Sequence, residues 1–84
     1  MEQVFLQCRS LTYGQRALRV LERGGLTAAL IRTPRALSVS GCGYGLILRK
    51  SRLQEALNLL RRKGVPFGPV YAYPVEQTPE EVEP

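Results

Sequence analysis

The first clear pattern in the chain is a run of alternating side chains near its amino-terminal end. Val4, Leu6 and Cys8 alternate with Phe5 and Gln7, so the run is apolar on nearly both sides. Apolar residues on both sides are typical of a strand with neighbours to either side. The pattern therefore predicts a central strand over residues 3–8.

Three further runs are typical of strands. Residues 26–31 form an apolar run that ends before Pro34, which has no backbone N–H to donate to a sheet. After a connection of residues 34–43, residues 44–49 predict a third strand. Residues 66–73 predict the last strand, and the prolines within it suit the edge of a sheet rather than its centre.

Between the first two strands, the sequence predicts an amphipathic helix. Ser10 or Thr12 can cap its start, Gln15 completes a capping-box pattern with Thr12, and Gly24 and Gly25 end it. The side chains expected on one face of this helix are Leu11, Gly14, Leu18 and Leu21.

A second helix follows the third predicted strand. Ser51 and Gln54 form another capping-box pattern, and the cations of residues 61–63 complement the helix dipole at the other end. Gly64 then suits the left-handed position that closes many helices. The stripe expected to be buried consists of Leu53, Ala56, Leu57 and Leu60.

The order β-α-β-β-α-β predicts an α+β fold of the ferredoxin-like class, with an antiparallel sheet and both helices on one face. A chain of 84 residues is too short for two cores, so we expect one domain over residues 1–73. Residues 74–84 are acidic, interrupted by prolines and poor in large apolar groups. We therefore expect a disordered tail there.

Cysteine content and hydropathy indicate the cellular compartment in which the protein is expected. Two cysteines allow one disulfide at most, whereas small secreted folds usually contain several. There is no basic segment followed by an apolar run at the start, and no apolar stretch approaches the ~20 residues that span a bilayer. We expect a reduced, cytoplasmic protein without membrane contact. Its core is small enough that pairing with a second copy, as a homodimer, is a further expectation.

The charges are unevenly distributed. All twelve basic residues precede Gly64, whereas four of the seven acidic residues lie in the last nine positions. The body of the protein therefore carries twelve bases against three acids, a net charge near +9. Such a surface favours an anionic ligand or an acidic protein, and equally describes a soluble basic surface without a ligand.

Several kinds of chemistry have little support. The chain has no histidine, so a nucleophile lacks its commonest base and a zinc site lacks its usual ligands. We expect no metal and no bound cofactor. Tyr71 and Tyr73 lie in the last predicted strand, but the aromatic motif of RNA-recognition domains is missing, so nucleic acid is not expected. Cys8 continues the apolar face of the first strand, and we expect it to pack in the core.

The remaining candidate is Cys42, which lies between Gly41 and Gly43. Flanking glycines permit positive φ angles and let successive N–H groups point at one anion, which would favour a thiolate. Arg35 before the turn and Arg49 after the next strand are expected to add positive potential. The alternative is that Cys42 is only a small residue in a tight turn.

At these residues the sequence resembles the selenium/sulfur carrier protein-like family, a small bacterial domain, over about residues 3–71. The specific part is the segment 31–38 (Ile-Arg-Thr-Pro-Arg-Ala-Leu-Ser) followed by Cys42-Gly43, with residues 46–49 and 63–67 completing the likeness. The resemblance implies that Cys42 carries sulfur or selenium. Relatives have more polar residues before this cysteine, where this chain has Gly41.

Two functional hypotheses follow. In the first, the chain is a carrier rather than a turnover enzyme: Cys42 holds a persulfide or perselenide, received from a donor such as a cysteine desulfurase and passed to an acceptor protein. In the second, the chain is a non-catalytic interaction module that binds a protein or an anion, and Cys42 is a structural turn residue.

Overall fold

The computed structural model describes residues 2–37 and 43–82. The strands are β1 (Gln3–Cys8), β2 (Ala29–Arg32), β3 (Tyr44–Arg49) and β4 (Val70–Tyr73), and the helices are α1 (Leu11–Arg23) and α2 (Leu53–Arg62). Short 3₁₀ turns span Arg35–Leu37 and Lys50–Arg52. The predicted order β-α-β-β-α-β is confirmed.

The four strands form one antiparallel sheet in the order β2-β3-β1-β4. β1 lies between β3 and β4, as the apolar pattern on both of its sides predicted. Its register with β3 pairs Gln3 with Arg49 at one end and Cys8 with Tyr44 at the other. The chain therefore has the predicted ferredoxin-like topology. Among the four strands, β2 and β4 lie at the two edges of the sheet.

The core lies between the sheet and the two helices. One face of β1 and β3 and the inner stripes of α1 and α2 share a single cluster, so both helices cover the same face of the sheet. The members of this cluster are buried; the sheet contributes Val4, Leu6, Cys8, Leu46, Leu48 and Val70, and the helices contribute Ala17, Leu21, Leu53, Ala56, Leu57 and Leu60. The stripe predicted for α2 is thus confirmed.

The start of α1 follows one of the two predicted caps. The Ser10 hydroxyl accepts a hydrogen bond from the backbone N–H of Tyr13 at 3.3 Å, so Ser10 is the cap and Thr12 lies inside the helix. The predicted inner face needs one correction. Leu11 is 40% exposed, because it occupies the first position of the helix, outside the contact with the sheet.

The first residues of β2 and α2 differ from the predicted ones. β2 begins at Ala29 instead of residue 26, because Leu26 is still bonded to the end of α1 through its N–H and the Leu21 carbonyl. The Ser51 capping box is also wrong: the 3₁₀ turn Lys50–Arg52 comes first, and α2 begins at Leu53 without a side-chain cap. The glycine at the end of α2 is confirmed, since Gly64 has a φ of +68°.

The last strand is shorter than predicted, and the segment after it lies beside the sheet. β4 begins at Val70, four residues later than expected, although Gly68 and Pro69 already hydrogen-bond to Gln7. Beyond β4, Glu81 forms an isolated bridge with Tyr71. Disorder of residues 74–84 stays a prediction. Within the described residues, neither helix has the length and hydrophobicity to cross a membrane.

Candidate functional site

The connection between β2 and β3 contains the predicted reactive cysteine. Cys42 and Gly41 lie outside the described residues, so the geometry of the site is available from its two ends, Thr33–Leu37 and Gly43. These ends determine where the connection leaves the sheet and where it returns.

The connection is closed at its base by a hydrogen bond between its two ends. The backbone N–H of Thr33 donates to the carbonyl of Gly43 at 3.0 Å, one step beyond the last β2–β3 pair, Arg32 and Tyr44. The two ends of this connection, called the loop (residues 34–42), are therefore held together. Cys42, which immediately precedes Gly43 in the sequence, belongs to that loop.

Gly43 has a conformation that requires glycine. Its φ is +133°, outside the range that other residues normally adopt, which agrees with the positive φ expected around Cys42. A β-carbon on Gly43 would also lie 2.8 Å from the Thr33 hydroxyl oxygen and 3.5 Å from the Gln7 amide nitrogen. The absence of a side chain at Gly43 thus makes room for a contact between Thr33 and Gln7.

That contact is a hydrogen bond across three strands. The Gln7 side chain lies on the sheet face away from the helices, and its Nε2 donates to the Thr33 hydroxyl at 3.0 Å and to the Cys8 carbonyl at 3.2 Å. Gln7 is paired in register with Gly45 of β3, so its side chain crosses β3 to reach Thr33 at the end of β2. The base of the loop is consequently tied to the central strand.

The backbone of Gln7 is itself fixed on the side away from β3. Its carbonyl accepts from the N–H of Gly68 at 2.7 Å, and its N–H donates to the carbonyl of Pro69 at 3.0 Å. Neither Gln7 nor Thr33 was predicted to have a role at the site. The available signals were an amide in an otherwise apolar strand and the threonine of the Thr-Pro-Arg segment, but neither signal indicates that the two side chains meet.

The two arginines predicted to stabilise an anion lie in different places. Arg35 is exposed in the 3₁₀ turn inside the loop, a turn closed by the N–H of Leu37 and the carbonyl of Pro34 at 2.9 Å. Arg49 ends β3, six residues beyond Gly43, which corresponds to about 20 Å along a strand. Arg35 therefore lies in the connection whose sequence contains Cys42, whereas Arg49 lies at the opposite end of β3 from Gly43.

Arg49 instead borders a cavity at the other end of the sheet. The cavity has a volume of about 580 Å³ and is lined by residues 25–29 and by Arg49, Ser51 and Arg52, among others. Both ion pairs of the described residues involve neighbours of Arg49 in the chain: Lys50 with Glu2 at 3.4 Å and Arg52 with Glu55 at 3.2 Å. Within those residues, Arg35 has no carboxylate partner.

Cys8, the other cysteine, is in the core as predicted. It is 2% exposed, and its thiol donates to the Leu6 carbonyl at 3.8 Å. Burial raises the pKa of Cys8 from 9.0 to about 11. Cys8 is thus held as a neutral thiol, which is neither accessible nor nucleophilic near neutral pH.

Comparison with known proteins gives one match. The family model described as "Putative Se/S carrier protein-like" matches residues 3–72, which include both helices, the sheet except its last residue, Tyr73, and the connection that contains Cys42. No curated protein and no solved structure matches the chain significantly.

Proposed function

The chain belongs to the Se/S carrier protein-like family, and from this premise we propose that it carries a sulfur or selenium atom on Cys42. The observation that carries the proposal is that the family match extends across Cys42, while the chain's only other cysteine is unsuited to the task. Cys8 is buried, and the pKa of its thiol is raised to about 11. Cys42 is therefore the one thiol left for transfer chemistry.

Transfer needs a thiolate and a donor that brings the atom in the zero-valent state. The Cys42 thiolate attacks the terminal sulfur of a persulfide on a donor of the cysteine desulfurase class. A new S–S bond forms on Cys42, the S–S bond of the donor breaks, and the donor cysteine leaves as a thiolate. An acceptor thiolate takes the atom from Cys42 in the same way, so no external oxidant or reductant is consumed. A perselenide donor would transfer selenium by the same exchange.

The described ends of the loop support this role. The Thr33–Gly43 hydrogen bond and the Gln7–Thr33 contact fix the position of Gly43, the residue that follows Cys42. Arg35 lies on the same loop without a carboxylate partner among the described residues. We assign it the stabilisation of the anionic sulfur.

Mass spectrometry of the intact full-length chain tests the proposal. After incubation with a cysteine desulfurase and cysteine, the wild type should gain the mass of one sulfur atom, and a thiol reductant should remove it. Cys8→Ala should be labelled like the wild type, whereas Cys42→Ser should stay unlabelled. Equal labelling of Cys42→Ser, or an unlabelled wild type, would refute the carrier and favour the interaction module.

A matched pair of arginine variants tests the electrostatic part. Arg35→Gln and Arg49→Gln remove the same charge, but Arg49 lies about 20 Å along β3 from Gly43, beyond the ~8 Å over which salt screens charges at physiological ionic strength. We expect pH-dependent alkylation to give a higher apparent pKa of Cys42 in Arg35→Gln and no change in Arg49→Gln. Equal shifts in both variants would contradict the assignment of Arg35.

A further inference from the structure

The acidic segment after β4 supplies an added strand on the outer edge of the sheet. The backbone N–H of Ala72 donates to the carbonyl of Glu80 at 2.8 Å, and the N–H of Val82 donates to the carbonyl of Val70 at 2.7 Å. Tyr71 and Glu81 are the antiparallel pair between these two hydrogen bonds. The edge of β4 thus already accommodates an extended strand in a defined register.

Alternation along this added strand separates its side chains between the two faces. Val82 is partly buried and packs against the core cluster on the helix side of the sheet. Glu81 lies opposite Tyr71 and belongs to the other face. The edge therefore accepts an aliphatic side chain at position 82 and acidic side chains at positions 80 and 81.

Residues 80–82 do not fill all of the space beside β4. A cavity of about 230 Å³ remains beside it, with Lys50, Tyr73, Glu80 and Val82 in its lining. Within residues 80–82, two backbone hydrogen bonds and one partly buried valine hold the segment on β4. Such a contact is weak enough to be exchanged for a better one.

We propose that the outer edge of β4 is a docking site for an extended acidic segment of a partner protein, and that the chain's own residues 80–82 occupy it when the partner is absent. The mode is strand addition, in which backbone hydrogen bonds give affinity and the side chains on alternate positions give specificity. The preference for acidic residues follows from charge, because the body of the chain carries twelve bases against three acids. This inference is independent of the chemistry proposed for Cys42.

The tether sets how strongly a partner must bind. A segment joined to the sheet through residues 74–79 competes at an effective concentration on the order of 1 mM. A partner strand with only the same contacts would lose to the tethered segment at cellular concentrations. The partner must therefore make further contacts, for which the cavity beside Lys50 and Tyr73 offers room.

Two proline variants of the full chain distinguish an edge of β4 that residues 80–82 occupy from an edge of β4 that is open. Val82→Pro removes the N–H that donates to Val70 and keeps an apolar side chain, so the segment should leave the edge. Glu81→Pro is the matched control, since none of the hydrogen bonds to β4 uses the N–H of Glu81. Hydrogen exchange of the Ala72 amide, which donates to Glu80, should be faster in Val82→Pro only.

The probe is a fluorescent synthetic peptide of residues 74–84, added to each full-length variant. We expect it to bind Val82→Pro on the order of tenfold more tightly than the wild type or Glu81→Pro, because in those chains only the fraction with an open edge is competent. Bound peptide should slow exchange of the Ala72 amide again. The same peptide with Glu80→Lys and Glu81→Lys should bind more weakly.

Three results would overturn the inference. Equal exchange of the Ala72 amide in the wild type and Val82→Pro would show that the segment does not occupy the edge in solution. No binding of the peptide to Val82→Pro at about 1 mM would show that the edge does not accept a strand from another molecule. A wild-type dimer that Val82→Pro abolishes would assign the edge to a second copy of the chain instead.

Discussion

Replacing Gly43 by alanine should open the base of the loop that contains Cys42. The new methyl group should destabilise the folded state in two ways. The φ of +133° is strained for any residue with a side chain, at a cost of about 1–3 kcal/mol. The β-carbon would also lie 2.8 Å from the Thr33 hydroxyl oxygen, so Thr33 must turn away and lose the Gln7 amide, at a further ~1 kcal/mol.

The expected loss of stability is therefore about 2–4 kcal/mol. That is a large share of the roughly 4–13 kcal/mol that a domain of this length has in total. The midpoint of thermal unfolding should fall by roughly 10–30 °C. Exchange of the Thr33 amide, which donates to the Gly43 carbonyl, should accelerate by more than global destabilisation explains.

Two other glycines provide the control. Gly25 and Gly64 have φ angles of +81° and +68°, and a β-carbon at either position would have no neighbour within 4 Å. Alanine there should cost only the backbone strain, about 1 kcal/mol. Urea denaturation of the three variants measures the difference. If Gly43→Ala is no less stable than Gly64→Ala, the steric argument for the base of the loop is refuted.

Three other predictions concern the sheet, the core thiol and the helix cap. Gly45→Ala should cost about 3 kcal/mol or more, because its methyl group would collide with the Phe5 ring and the Leu6 carbonyl; near-wild-type stability in urea would contradict this. Burial raises the pKa of Cys8 from 9.0 to about 11, so the unfolded chain ionises first and stability should fall between these pH values more steeply in the wild type than in Cys8→Ala; equal slopes would disprove it. Ser10→Ala should lose about 1 kcal/mol and Ser51→Ala almost nothing, since only Ser10 caps a helix; equal losses in thermal melts would argue against that difference.

Local sequence patterns predicted most of the fold because they report burial directly. The alternation from Val4 to Cys8 marks a strand with neighbours on both sides, and the spacing of Leu53, Leu57 and Leu60 marks a helix stripe. Where prediction failed, another part of the structure competed with the local pattern. Leu26 is apolar enough for a strand, but it hydrogen-bonds to Leu21 at the end of α1 instead.

The candidate site was less predictable. The sequence indicated Cys42 through its glycines and its family resemblance, but the contact beside it joins Gln7 and Thr33, which are 26 residues apart. No local signal predicts that contact, because it depends on β1, β3 and β2 lying side by side and on Gly43 having no side chain next to Thr33. Arg49 shows the converse: it is near Cys42 in the sequence but lies at the far end of a strand.

The amino-acid sequence by itself determined the order of the elements, the buried stripes, the central place of β1 and the identity of the cysteine on which the function is proposed. These properties depend on the spacing of apolar residues and on single residue types, and both can be recognised within a short segment of the sequence. Only the tertiary structure decided which polar side chains meet, what lies beside Arg49 at its end of the sheet and what lies on the edge of β4. Each of these depends on strand order and register, which are settled by packing over the whole sheet.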